Sequence, residues 1–286
     1  MTLDIKKSIL YSTIASLAYA ISGIAVKYLT SNTPYTMIVF SRFLVGLLYL
    51  TPFAIRNNEF ALIRNYPIQF VRGGAGLLAI MCFFCSLKYI PIVDAIALNN
   101  VAPLFIPIIL FLFYKVSISR KLIFCIIIGF IGVLLIIKPD KGIFNWMSLI
   151  ALLSSFFAAI ASLSIKRLSK TNSTQSILFF YFLISTVFSA FLLPVEYPHQ
   201  TIGDILLMIM VGILALIFQY SVTRAFKYSN AEVVSPLLYM SVLFGLLFDW
   251  IFHDKAPSFY SSIGTIFIVL SCMFILVIRK RENNNQ

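Results

Sequence analysis

The 286-residue chain is 60% hydrophobic and 11% charged, with a mean hydropathy of +0.98. Soluble domains carry about 25% charged residues, so a water-soluble globule is excluded, and most soluble-enzyme classes with it. Lys and Arg outnumber Asp and Glu by 22 to 10, a net charge of +12; in so apolar a chain this excess reports loop orientation and carries no nucleic-acid role.

Crossing ~30 Å of hydrocarbon takes about 20 mostly apolar residues in a helix. Ten segments meet that requirement: 8–29, 35–55, 68–90, 94–114, 119–137, 145–165, 174–195, 203–226, 231–252 and 258–278. They are twice too long for barrel strands and lack period-two alternation. The first opens with Lys6-Lys7 and contains Ala18-Tyr19-Ala20, which looks like a secretory leader, but its apolar run continues to Leu29. Its stripe Ser12, Ser16, Tyr19 and Gly23 is small enough for close helix packing, except at Tyr19, a candidate substrate contact. The second span carries Arg42 about two turns from its outer end, where snorkelling or pairing with helix-end carbonyls is expected, with a gating or substrate role as the alternative. The third carries Arg72 near its opposite end, where snorkelling is again expected.

The fourth span is the most informative. Asp94 opens it and is read first as a helix-dipole cap. Asn99, Asn100, Pro103 and Pro107 follow. Proline has no N–H, so Pro103 frees the carbonyl of Asn99, and Pro107 that of Pro103. Such backbone polarity is tolerated where it lines protein or water. Asn99 and Pro103 share a face assigned to a cavity, with a kinked, internally bonded helix as the plainer reading. The sixth span repeats a small stripe at Ser155, Ala159 and Ser162. In the eighth, Gln219 needs a partner, either a substrate group or the Asn99 region, and Arg224 lies near the end. In the ninth, Pro236 frees the carbonyl of Glu232, and Tyr239 is placed toward mid-depth. The candidate substrate contacts are therefore Tyr19, Asn99, Asn100, Gln219 and Tyr239. Pro103, Pro107, Pro236, Arg42, Asp94 and Glu232 are assigned gating or structural roles.

Fourteen basic residues fall on one side: Lys6, Lys7, Arg56, Arg64, Lys115, Arg120, Lys121, Lys166, Arg167, Lys170, Lys227, Arg279, Lys280 and Arg281. Five fall on the other: Lys27, Lys88, Lys138, Lys141 and Lys255. Cytoplasmic loops are enriched in Lys and Arg, which puts both termini in the cytoplasm of a bacterial inner membrane.

Shifting the sequence by 139 superimposes its halves. Ser16 falls on Ser155, Ala20-Ile21 on Ala159-Ile160, Lys27 on Lys166, Leu29 on Leu168, Gly73 on Gly212, and Lys88-Tyr89 on Lys227-Tyr228. Five spans are an odd number, so the second copy enters the membrane from the opposite side. The expected fold is an all-α integral membrane protein with ten transmembrane helices, arranged as two inverted five-helix repeats over 1–140 and 141–286.

A Lys-Tyr dipeptide closes the third helix of each half and an acid opens the fourth. With Ser86-Leu87-Lys88-Tyr89-Ile90-Pro91-Ile92-Val93-Asp94, Ala102-Pro103-Leu104-Phe105, Phe40-Ser41-Arg42-Phe43-Leu44 and Arg224-Ala225-Phe226-Lys227-Tyr228, the chain resembles the EamA branch of the drug/metabolite transporter superfamily. The resemblance implies that helices one, three, four, six, eight and nine line a central cavity and that five and ten close the fold. It also implies a secondary transporter of a small polar or zwitterionic metabolite, amino-acid-like or adenosyl, working by alternating access. The alternatives are a drug or toxic-metabolite exporter of the same fold, or an integral membrane lipid-modifying enzyme. His199 and His253 are lone loop histidines and Cys82, Cys85, Cys125 and Cys272 lie in apolar runs, so no metal, cofactor or catalytic residue is expected. The expected partners are the bilayer and a small molecule. Proton or counter-substrate coupling stays open, since no Asp or Glu lies at mid-depth.

Overall fold

The computed structural model describes residues 5–56, 65–115, 120–137, 146–193, 199–228, 234, 237–238, 240–253 and 259–284. Among these residues every regular element is helical. The helices are α1 (Ile5–Leu29), α2 (Tyr35–Arg56), α3 (Tyr66–Leu87), α4 (Ile92–Asn99), α5 (Ala102–Tyr114) and α6 (Arg120–Ile137), then α7 (Trp146–Leu168), α8 (Thr174–Ala190), α9 (Ile202–Tyr228), α10 (Met240–His253) and α11 (Phe259–Asn284). Six stretches are long and apolar enough to cross a membrane: Lys6–Leu29, Tyr35–Arg56, Tyr66–Leu87, Asp94–Leu112, Trp146–Leu168 and Ile202–Tyr228. Three shorter apolar helices cover Ile123–Leu135, Thr174–Ala190 and Ser262–Ser271.

The expected fourth span is two helices, α4 and α5. Asn100 N donates to Ile96 O at 3.0 Å and Val101 N to Leu98 O at 3.2 Å, and Leu104 N then restarts the ladder on Val101 O at 2.8 Å. Pro103 sits in the first turn of α5, where a helix has no use for its missing N–H. The proline read as loosening one helix thus begins another. Of the ninth span, Glu232, Pro236 and Tyr239 lie outside the described residues.

The surface is apolar on nearly every helix: Leu10, Leu48, Phe124, Leu134, Leu206, Leu243 and Phe274 are all exposed, as expected of a chain solvated by lipid. The interior holds the small polar groups, with Ser8, Ser12, Ser16, Ser154, Ser155 and Ser185 fully buried. Two of these hydroxyls bond back to their own helix, Ser154 Oγ to Ala151 O at 2.5 Å and Ser155 Oγ to Leu152 O at 2.6 Å, whereas Ser8, Ser16 and Ser185 bond to neighbouring segments and Ser12 Oγ has no partner.

α1 packs on α9 and α3 on α7, α2 on α8 and α9, α3 on α8, and α6 on α11; α4 and α5 pack on α7, and α10 on α1 and α4. Exchanging α1 with α7, α2 with α8, and α3 with α9 turns these pairs into one another. Two glycines make this metric. A Cβ on Gly73 would lie 2.6 Å from the side chain of Ile184, and one on Gly212 would lie 2.5 Å from that of Val45. The two glycines are 139 positions apart in the sequence, and so are their partners, Val45 and Ile184. Gly132 of α6 meets main chain instead of a side chain: a Cβ there would lie 2.6 Å from the carbonyl oxygen of Gly264 on α11. About two turns along the same helix pair, Ser271 Oγ donates to Cys125 O.

Candidate functional site

A cavity of about 360 Å³ lies among α1, α3, α4, α5, α7, α8 and α9, within the size range of small-molecule sites. Its floor is built around Tyr19. The Tyr19 hydroxyl donates to Asn99 Oδ1 at 2.7 Å, and Asn99 Nδ2 donates to Ser154 Oγ at 2.7 Å. One amide at the end of α4 therefore ties α1 to α7. The Tyr19 ring lies between Phe83 at 5.0 Å and Phe218 at 4.9 Å, and the residue is 5% exposed. Asn100 Nδ2 reaches Ile96 O at 3.0 Å and Ser241 Oγ of α10 at 2.9 Å. On α1, Ser16 Oγ donates to Leu237 O at 3.1 Å.

From this floor the cavity runs along α5, α7 and α9 toward their C-terminal ends. Ala158, Ala161 and Ser162 give it room on α7, and its mouth reaches Leu110, Lys166 and Phe226. Ala158 and Lys166 are eight residues apart, about 12 Å of helix rise. Lys166 is exposed. Beyond the floor, away from the mouth, the chain is packed. Gly23 lies against Ile92 and Ile96, and Lys27 Nζ donates to Ile90 O at 2.6 Å.

Four of the five expected contacts, Tyr19, Asn99, Asn100 and Gln219, line this one cavity, together with Pro103. Tyr239 falls outside the described residues. Pro107 is buried within α5 away from the cavity lining, and Asp94 occupies the first turn of α4. Helices one, three, four, six and eight line it as the resemblance implied, and Leu238 supplies the ninth.

Three expectations are corrected. Arg42 does not snorkel and caps no helix-end carbonyl: it is 1% exposed, its guanidinium lies over Phe84 and Phe43 at 5.5 and 5.8 Å, and Nε and Nη2 have no hydrogen-bond partner. Arg72 does not snorkel either. It is 2% exposed and turns into the cavity wall. There Nη2 donates to Gln219 Oε1 at 2.8 Å, and the guanidinium lies 3.9 Å above the centre of the Tyr181 ring. Gln219 therefore pairs with Arg72 and, through Nε2 at 3.4 Å, with the Tyr181 hydroxyl, and not with the Asn99 region. Packing overrides snorkelling because Arg72 is held from two sides: by a charge-assisted hydrogen bond of about 1.5–3 kcal/mol and a desolvated cation–π contact of about 2 kcal/mol. Tyr181, from α8, was missed as a site residue.

A family model described as the EamA-like transporter family matches this chain twice, over residues 6–138 and 145–277. The pseudopaline exporter of Pseudomonas aeruginosa (strain UCBPP-PA14) is 30% identical over 284 residues, covering 96% of this chain and 97% of the exporter. A riboflavin transporter of Vibrio cholerae is 27% identical over 271 residues, with 91% and 90% covered. An S-adenosylmethionine uptake transporter of Rickettsia bellii is 21% identical over 256 residues, with 89% and 88% covered. A solved crystal structure 18% identical in sequence shares the fold, with a TM-score of 0.66 over 96% of this chain and 98% of that one.

Proposed function

The chain belongs to the EamA-like transporter family, a multi-pass transporter of a bacterial membrane and not an enzyme, and from that premise we propose that it carries a small polar metabolite through the Tyr19–Asn99 cavity by alternating access. In this reading ten spans form two inverted five-helix repeats, 1–140 and 141–286. The double match of the family model, the exchange of helix pairs and the Gly73–Ile184 and Gly212–Val45 contacts support it.

The observation that carries the proposal is the cavity itself, floored by bonded side chains from three helices and mouthed at the exposed Lys166. An inverted repeat around such a pocket has two related exits, and closing one while opening the other moves a solute without a through-pore. The mouth lies at the ends that bear Lys166, Arg167 and Lys227. The bias of basic residues makes that face cytoplasmic, with both termini on it. Tyr19, Asn99, Asn100, Gln219 and Tyr239 are the proposed contacts, and Pro103 and Pro236 the proposed breaks about which the fourth and ninth spans bend.

Counterflow tests this reading. Compounds that stabilise the purified protein are selected from pseudopaline, riboflavin, S-adenosylmethionine and the amino acids, then loaded into proteoliposomes. Saturable exchange is expected, reduced roughly tenfold or more in Asn99→Ala, which strands the Tyr19 hydroxyl and cuts the tie between α1 and α7. Linear, non-saturating flux would exclude a carrier.

A further inference from the structure

Arg72 is the one strongly basic group walling the interior of the cavity among the described residues, and nothing there neutralises it. Its guanidinium is buried, its Nε has no hydrogen-bond partner, and its bonded neighbours, Gln219 and Tyr181, are both uncharged. No Asp or Glu among the described residues lines the cavity. Arg42, equally buried and also in no ion pair among the described residues, flanks the far side of the same tyrosine through Phe43, whose ring meets Tyr181 edge-on at 5.3 Å. Lys166 adds a second cation at the mouth. A buried cation without a counter-ion is costly, at about 2.5–3.5 kcal/mol even on insertion scales. The chain nevertheless makes room for it: a Cβ on Gly76 would lie 2.4 Å from Arg72 Nη1 and 2.6 Å from the Tyr181 ring. The glycine is the recess in which the guanidinium lies flat.

We propose that Arg72, Gln219 and Tyr181 form a carboxylate-binding subsite, and that the transported solute is an organic anion whose acid group completes the charge of Arg72. Arg72 supplies its unneutralised guanidinium at the cavity wall as the charge-assisted partner of the acid. Gln219 orients the guanidinium from one edge, and the Tyr181 ring fixes its plane. Between this subsite and the polar floor, Ile80, Ile106, Ala158, Phe218 and Val222 give the wall an apolar stretch that suits a hydrocarbon or aromatic body. Lys166 at the entrance favours the approach of anions. The subsite names the substrate class of the proposed transport path and to that extent rests on it.

Binding alone, without flux, tests the subsite. The full chain in detergent is titrated with three matched pairs: benzoate and benzamide, hippurate and hippuramide, indole-3-acetate and indole-3-acetamide. Each acid is expected to bind roughly tenfold or more tightly than its amide, since only the acid supplies a counter-charge. In Arg72→Gln that preference falls to about twofold or less. Gln219→Glu places a carboxylate of the chain itself beside Arg72; it is expected to melt higher than the parent while losing the preference for acids, and it decides the matter should Arg72→Gln not fold. Acids and amides binding alike, neither binding, or a preference that survives Gln219→Glu overturns the subsite. Failure here with intact saturable counterflow leaves the carrier standing, and acid binding with no counterflow does the reverse.

Discussion

Helices α1 and α7 carry the halves of the chain past the same central pocket, yet α1 fills its side and α7 leaves its side empty. Positions 139 apart show how. Where α1 has Tyr19, wedged between Phe83 and Phe218, α7 has Ala158 on the cavity wall. Where α1 has Gly23 against Ile92 and Ile96, α7 has Ser162, also on the wall. Lys27 is tied to the carbonyl of Ile90, whereas Lys166 stands exposed at the mouth. The Tyr19 ring, and Ile92 and Ile96 against Gly23, thus fill one side where Ala158 and Ser162 leave the other open, and that filling decides which end of the pocket water can reach.

Six substitutions bear on that contrast. The largest effect is expected from Ala158→Tyr, which gives α7 the bulk of α1: the ring occupies existing space, so folding survives while saturable transport falls roughly tenfold or more, the loss that follows from about 1.4 kcal/mol of hindered binding. A full transport rate in this variant would break the comparison. The reverse change, Tyr19→Ala, removes two ring contacts and the Asn99 hydrogen bond, so a stability loss of about 3–5 kcal/mol is expected in chemical denaturation. Gly73→Ala and Gly212→Ala sharpen the comparison by their equality. Each pushes a methyl into a β-branched neighbour at 2.6 or 2.5 Å, each should destabilise by about 1–3 kcal/mol, and clearly unequal costs would count against matched halves. The smallest contrast concerns the lysines: Lys27→Met is expected to cost about 1 kcal/mol through its lost carbonyl bond, and Lys166→Met to stay within about 0.5 kcal/mol, as read from parallel thermal melts.

The helical spans were legible because lipid imposes a long apolar run on each, and the break in the fourth was foreshadowed by Asn99 and Pro103, whose local chemistry needs no knowledge of neighbours. Tyr19, Asn99, Asn100 and Gln219 stood out as polar groups too deep to reach water. Arg72 was misread because a long cation near a span end ordinarily reaches the interface. What overrides that tendency is Gly76, one turn further on, together with Tyr181 from a helix over a hundred residues away. The spacing Arg72 to Gly76 was available as a signal of a recess, and Gln219 as an amide in want of a donor. Tyr181 gave no such sign within Phe179-Phe180-Tyr181-Phe182, where one aromatic looks like another. Arg42 likewise shows its aromatic cover only in three dimensions.

The meeting of α6 and α11 stands apart from the pocket and sets a limit on its motion. Gly132 touches the backbone of Gly264 so closely that a single methyl has no space, and about two turns along the same seam Ser271 grips the carbonyl of Cys125. Main chain against main chain cannot slide by repacking rotamers. In the proposed carrier these two helices are the fixed pair, and a swing that shuts the Lys166 mouth would turn about them.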